Sequence, residues 1–116
     1  VLINPGTASS AEIFAGAIQD HQRGQVVGET TFGTGTVLAP FTLDDGSELL
    51  LGVKQWLTPN GRLIRNQGIQ PDIEVKLPLG TDLLAPTEVK TMTVDQIKSS
   101  ADTQLAKALD LLGTKQ

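Results

Sequence analysis

The chain has 116 residues, of which 39% are hydrophobic and 19% are charged, a composition typical of a globular domain and not of a disordered segment. Nine basic residues against thirteen acidic ones give a net charge of −4 without a basic cluster, which argues against nucleic acid and anionic membranes as partners. The chain has no cysteine, which excludes disulfides, and its single histidine excludes a histidine-based metal cluster.

The first residues predict a strand, a turn and a helix. The apolar run 1–3 indicates a short strand, and because the chain opens inside it and without methionine, we expect a piece of a longer protein. An Asn-Pro-Gly turn follows. Ser9 and Glu12 then have capping-box spacing, in which the hydroxyl and the carboxylate each satisfy a backbone N–H group. Apolar residues at helical spacing and the stop signal Gly24 predict a helix over 10–23.

The middle of the chain predicts mostly strands. Residues 25–28 have the composition of a short buried strand, so strand, helix and strand imply a right-handed crossover and a parallel pair. A glycine-rich loop over 28–35 follows. Residues 36–43 and 48–57 predict a hairpin around an Asp-Asp-Gly-Ser turn, with the proline of the first strand favouring an edge position. Residues 73–75 alternate like a short edge strand.

The composition changes at residue 77. Residues 77–86 are typical of a linker, and Thr93 is a candidate N-cap for a short helix. A final helix begins at Ser100 or Asp102 and ends at Gly113. Three leucines give this helix one apolar face: Leu105, Leu109 and Leu112.

One residue, Ser9, is a candidate catalytic nucleophile. Ser9 follows a glycine-containing turn and precedes a helix, which is the arrangement of a nucleophile elbow and equally that of an ordinary helix cap. The helix dipole and the free N–H groups at such a terminus stabilise negative charge, which suits an oxyanion. The pattern alone leaves both interpretations open, and capping is the commoner one.

Several motifs in order resemble the C-terminal processing peptidases, also called tail-specific proteases. They cover nearly the whole chain: VLINPGTASSAEI over 1–13, VGETTFG over 27–33, LTPNGR over 57–62, GIQPDIEV over 68–75 and DTQLAKAL over 102–109. The resemblance implies an α/β fold with a crotonase-like ββα-type core, present here as a fragment with a strand-helix-strand unit, a β-hairpin and C-terminal helices. Residues 1–76 would then be the C-terminal part of the catalytic core, and 77–116 a linker and C-terminal helices.

The resemblance also implies site residues and exposes a departure from the family. Ser9 takes the place of the nucleophile of a serine peptidase that cleaves near polypeptide C-termini, and the backbone N–H of Ser10 would donate to the oxyanion. The family's catalytic lysine and its orienting glutamine are replaced here by Thr34 and Leu38. A threonine hydroxyl cannot serve as a general base near neutral pH, whereas a desolvated lysine can.

No substitute base is evident. His21 lies twelve residues beyond Ser9, which is ~18 Å along a helix. Lys54 falls on the second hairpin strand, and Glu12 is better explained as a cap or a buried polar partner. Two interpretations stay open. A segment outside this chain supplies the base, or the protein is a catalytically impaired pseudo-protease that binds peptides. We expect the isolated chain to be inactive.

The same resemblance also predicts partners and location, and it implies no metal and no cofactor. The expected partners are unfolded or C-terminal peptides, which could add as a strand along residues 36–41. Missing neighbouring strands would leave an exposed edge and an uncovered apolar face, so we expect the fragment to self-associate. The family is usually exported, which predicts the periplasm, the cell envelope or a membrane-associated location.

Overall fold

The computed structural model describes residues 1–113 and has a mixed α/β architecture, as the sequence predicts. The elements in chain order are β1 (Leu2–Ile3), α1 (Ser10–Asp20), β2 (Val27–Gly28), β3 (Thr36–Thr42), β4 (Glu48–Gln55), β5 (Ile73–Glu74), α2 (Pro86–Val89), α3 (Val94–Lys98) and α4 (Thr103–Gly113).

Three short strands form one parallel sheet in the order β1-β2-β5. Val27 pairs with Leu2 on one side and with Ile73 on the other, which confirms the predicted parallel crossover and the edge position of β5. Gly28 has φ 132°, and a Cβ atom there would lie 1.9 Å from the carbonyl oxygen of Ile3. Only glycine therefore allows β2 to approach β1 this closely.

The core lies where α1 packs on this sheet and on the chain that leads to β5. Five buried apolar side chains form it: Ile3, Ala15, Val26, Ile64 and Ile69. Gly16 brings the helix close to this segment, because a Cβ atom at Gly16 would lie 2.8 Å from Cγ2 of Thr58. The core thus holds the start of α1 at a fixed place relative to β1.

The predicted C-terminal end of the first helix is wrong by three residues. The helix ends at Asp20, because Gln22 adopts the left-handed conformation with φ 52°. The Arg23 N–H then donates to the Ile18 carbonyl at 3.0 Å and the Gln22 N–H to the Gln19 carbonyl at 3.0 Å. These two bonds form a Schellman motif that ends the helix before Gly24.

Strands β3 and β4 form a separate antiparallel hairpin, with Thr36 opposite Gln55 and Thr42 opposite Glu48. An irregularity lies between Val37 and Leu38. Both strands are edges, which explains why Pro40 is tolerated. Large apolar side chains are exposed along the hairpin and just beyond it: Leu38, Phe41, Leu43, Leu49, Leu50, Leu51, Val53, Trp56 and Leu57.

The C-terminal part is more helical than predicted. At the last residue of the expected linker, α2 begins at Pro86, whose fixed φ suits the first position of a helix. The Thr93 side chain accepts from the Gln96 N–H, which confirms the predicted cap of α3. Asp102 immediately precedes α4 and caps it, since its carboxylate accepts from the Leu105 N–H at 2.9 Å.

Helix α4 packs against β1 and β2. The Gln104 side chain donates to Oε2 of Glu29 at 3.1 Å and to the Val75 carbonyl at 2.9 Å. Leu105 and Leu109 are partly buried, but Leu112 is 72% exposed, so the predicted apolar face is covered only in part.

Candidate active site

Ser9 stands at the turn between β1 and α1 in a strained conformation. It is the N-cap of the helix, with φ 55° and ψ −125°, and it is exposed. A side chain in this left-handed region is unfavourable, and such strain is concentrated at functional sites. A strained residue at a strand-to-helix turn is the backbone geometry that presents a nucleophile.

The predicted capping box is seen at the Glu12 carboxylate. The Ser9 N–H donates to Oε2 of Glu12 at 2.9 Å, as predicted. The Ser9 hydroxyl makes no side-chain cap hydrogen bond. An N-cap side chain normally acts from extended backbone, whereas Ser9 has positive φ. The hydroxyl is therefore not committed to the helix.

Glu12 fastens the glycine-rich loop to the Ser9 turn. Its side chain is fully buried, and besides the Ser9 N–H it accepts from Oγ1 of Thr31 at 2.5 Å, from the Gly33 N–H at 2.6 Å and from the Thr34 N–H at 3.0 Å. The Ser9 and Thr34 N–H groups both donate to the same oxygen, Oε2 of Glu12. Their two backbone nitrogens therefore lie at most about 6 Å apart. One carboxylate thus sets the spacing of the two positions.

Beside Ser9, one backbone donor is available. Within residues 1–113 the Ser10 N–H makes no hydrogen bond, while the Ala11 N–H donates to the Ala8 carbonyl at 3.2 Å and the Glu12 N–H to the Ser9 carbonyl at 2.9 Å. A free N–H in the first turn of a helix is suited to an oxyanion. The Thr34 N–H is unavailable for this purpose, because Glu12 already accepts from it.

Thr34 and Leu38 both line a cleft of about 470 Å³. Phe32 and Arg65 also line this cleft, and Ser9 does not. The structure therefore connects Ser9 to position 34 through Glu12 and not through a shared cavity.

None of the candidate bases bonds to the Ser9 hydroxyl within the described part of the chain. His21 is the C-cap of α1, at the far end of the helix from Ser9. Lys54 lies on β4, where it pairs with Val37. The carboxylate of Glu12 already accepts four hydrogen bonds.

A second polar network supports the other end of α1. Arg62 bonds to the Asp20 carboxylate and to Oε1 of Gln19 at 2.8 Å, and Gln19 donates to Asp72 at 2.6 Å. The Asp72 carboxylate accepts from the Val26 N–H at 2.8 Å. Two separate sequence motifs, LTPNGR and GIQPDIEV, thus meet at the C-terminal end of α1.

The Asp20 carboxyl is held in its charged form. Burial raises its pKa, but hydrogen bonds from Thr58, Asn60 and Arg62, together with the Arg62 charge, outweigh that effect and hold the pKa below the usual 3.8. The network therefore depends on an ionised carboxylate.

Sequence reasoning missed two residues around the site. Thr31 is buried, and its hydroxyl donates to Glu12 and accepts from the Ile69 N–H at 2.7 Å, which joins the loop to the core. Its place in the VGETTFG motif was the available signal. Arg65 has no sequence signal, since only folding brings it to the cleft of Thr34.

Comparison with known proteins decides the family. Residues 1–75 match the family model of Peptidase family S41. The chain belongs to this family. Among S41 relatives it is 43% identical over 112 residues to the carboxyl-terminal-processing protease of Synechocystis sp., covering 97% of this chain and 23% of that protein. It is 47% identical over 78 residues to the carboxy-terminal processing protease CtpA of Bacillus subtilis, covering 67% of this chain and 17% of that protein.

Solved structures agree with the S41 assignment. The photosystem II D1 C-terminal processing protease matches with a TM-score of 0.59 and 42% identity, over 64% of this chain and 19% of that one. The tricorn protease matches with a TM-score of 0.63 and 25% identity, over 96% of this chain and 10% of that one. The chain therefore spans only a small part of these relatives. Their names are those of proteases and give no support to the pseudo-protease alternative.

Two further observations concern the described residues. None of the helices within 1–113 combines the length and the apolar character needed to cross a bilayer. In the same range, no group of three histidine, aspartate or glutamate side chains is arranged to hold a metal ion.

Proposed function

We propose that this chain is the nucleophile-bearing part of an S41 serine peptidase that cleaves peptide bonds near polypeptide C-termini. One observation carries the proposal. Ser9 has a strained left-handed backbone at the start of α1, with a hydroxyl that makes no cap hydrogen bond. A residue that served only as a cap would gain that hydrogen bond without the strain.

The chemistry assigned to these residues is acyl transfer. Oγ of Ser9 attacks the carbonyl carbon of the peptide bond and gives its proton to a base, and the backbone N–H of Ser10 donates to the developing oxyanion. The leaving amine takes up a proton, and water then hydrolyses the acyl-enzyme to release the acid and regenerate Ser9. Thr34 and Leu38 occupy degenerate dyad positions in this scheme, so the base comes from a segment outside residues 1–113.

The proposed architecture is a crotonase-like ββα-type core. Residues 1–76 supply the C-terminal part of this core, and residues 77–116 form a linker and helices that return to it. The bonds from Gln104 to Glu29 and Val75 support this return over the described range. The matches to two protease structures support the core assignment.

The proposed substrates are unfolded peptides and the C-terminal segments of proteins. The names of the relatives support this substrate class. The outer edge of β3 is unpaired within residues 1–113 and offers backbone groups to an extended peptide. We further propose that the protein acts after export, in the periplasm or the cell envelope.

The test compares Ser9→Ala with Ser10→Ala in the full-length protein, using hydrolysis of an unstructured peptide with a free C-terminus. Ser9→Ala should lower kcat by about 10³-fold or more, because it removes the nucleophile. Ser10→Ala is the matched control and should keep most of the activity, because the backbone N–H remains.

A different pattern would overturn the proposal. Wild-type protein that binds such peptides without cleaving them, and that gains hydrolysis only in the Thr34→Lys/Leu38→Gln double variant, would show that the full-length protein supplies no base for Ser9.

A further inference from the structure

We infer that Arg65 binds a carboxylate of the peptide substrate in the cleft that contains Thr34 and Leu38. The inference rests on the proposed function, because it assigns part of the substrate of that same site. It names an ionic contact for the substrate in a chain whose lysine position carries threonine.

The first argument is charge. Arg65 is the one charged residue among those that line the cleft within residues 1–113. The rest of the lining is neutral, with apolar contributions from Phe32 and Leu38. A single guanidinium at the rim of such a cleft attracts an anionic group and gives it a defined place.

The second argument is that Arg65 has no partner of its own. Its guanidinium forms no hydrogen bond or ion pair within the described range. Arg62, three residues earlier, is bonded to Asp20 and Gln19. The same segment thus holds one arginine committed to structure and one whose five donors are free for a ligand.

The third argument is rigidity. Gly35 has φ 50°, and a Cβ atom there would lie 2.3 Å from the backbone nitrogen of Arg65. The Asn66 N–H donates to the Gly33 carbonyl at 2.9 Å. The backbone of Arg65 is thereby fixed against the loop that Glu12 ties to Ser9, so the Cα atom of Arg65 has a defined position relative to the nucleophile.

The chemistry selects a carboxylate. A guanidinium is planar and pairs with a carboxylate through two parallel hydrogen bonds, a geometry that neutral peptide groups do not match. The carboxylate can be the C-terminus of the peptide or the side chain of an aspartate or glutamate, and the peptide set below separates the two sources.

The experiment measures peptide binding by fluorescence anisotropy in full-length protein carrying Ser9→Ala, which prevents turnover. The four peptides share one sequence except for the last residue, which is Glu or Gln. Each of these two peptides is made with a free C-terminus and with an amidated C-terminus. Arg65→Gln should weaken the peptides that bear the recognised carboxylate by about tenfold or more. The amidated Gln peptide should change by less than about twofold.

Arg23→Gln is the matched control, because it removes the same charge from the far end of α1 and should leave all four affinities unchanged. If only free C-termini respond to Arg65→Gln, the bound group is the terminal carboxylate, and if only Glu peptides respond, it is the side chain. Equal losses for all four peptides, or no loss, would overturn the inference.

The proposed function is tested separately by hydrolysis of all four peptides, at saturating concentration, by protein with intact Ser9. If no peptide is hydrolysed but binding still depends on Arg65, the proposed activity is refuted and the inference about Arg65 stands. If the peptides are hydrolysed but binding does not depend on Arg65, the inference is refuted and the proposed activity stands.

Discussion

At the scale of single residues, Glu12 links the two parts of the site. Its carboxylate accepts from the Ser9 and Thr34 N–H groups and also from Thr31 and Gly33, so it sets the position of the nucleophile relative to the loop. An acceptor with two oxygens is needed, because all four partners are donors. Glu12 is therefore a positioning residue and not a base.

Replacing Glu12 by glutamine should damage the site more than the fold. The glutamine amide places an NH₂ group against N–H donors, which leaves up to two buried donors unsatisfied at about 1–3 kcal/mol each. We expect a lower melting temperature in Glu12→Gln and at least a tenfold loss of kcat in the folded protein.

The control for this prediction is Glu29→Gln. Glu29 accepts from Gln104 at 3.1 Å and from the Leu77 N–H at 3.4 Å, away from Ser9. This variant should lose stability and keep its kcat. Equal kcat values in the two variants would contradict the positioning role of Glu12.

The sequence predicts part of the site. The spacing of Ser9 and Glu12 correctly indicates the bond from the Ser9 N–H to the carboxylate. It cannot indicate that the hydroxyl stays free, because that depends on the positive φ of Ser9. Nor can it indicate the position of Arg65, which contacts the loop only through tertiary packing. The roles of Ser9, Ser10, Thr34 and Leu38 stay predictions.

At the scale of elements, α1 is held at its two ends by different networks. Glu12 holds the first turn, and the pair of Asp20 and Arg62 holds the last one. The sequence predicts the helix itself through its apolar spacing. Its end was predicted wrongly because a left-handed Gln22 has no clear sequence signal, whereas Gly24 does.

The Asp20 network predicts a loss of stability in acid. The folded state lowers the pKa of Asp20 below 3.8, so its contribution to stability is present above that pH and is lost as the pH falls through the lowered pKa. Urea unfolding of full-length protein from about pH 6 to about pH 2 should show a steeper acid loss in wild type than in Asp20→Asn.

Asp82→Asn is the control for the acid prediction, since Asp82 is exposed and forms no hydrogen bond within the described residues. It should follow the wild-type curve. An acid dependence in Asp20→Asn that matches wild type would contradict the assignment.

Other elements show where sequence signals are weak. The strands of the parallel sheet are two residues long, and their pairing was predictable from the order strand, helix and strand. Helix α2 was missed, because a four-residue helix has too few residues to show a period. The cap at Thr93 was predictable because its partner Gln96 is local.

At the scale of the whole molecule, the hairpin leaves more apolar surface exposed than a stable monomer normally does. Leu50 is 60% exposed and Leu38 57%, on a two-stranded ribbon that has no covering layer within residues 1–113. We propose that this surface drives self-association of the isolated chain.

Light scattering of the isolated chain at high concentration should therefore detect dimers or larger species. Leu50→Lys should shift the protein toward the monomer. Leu79→Lys is the matched control, because Leu79 is fully exposed outside the hairpin, and it should leave the association unchanged. A wild-type chain that stays strictly monomeric would contradict the proposal.

The central claim is that Ser9 is the nucleophile. Its most direct test is covalent labelling of the full-length protein with a serine-directed fluorophosphonate, followed by peptide mass spectrometry. The account predicts a single adduct on Ser9, with none on Ser10 and none after Ser9→Ala. Failure to label Ser9, or equal labelling of Ser10, would contradict it.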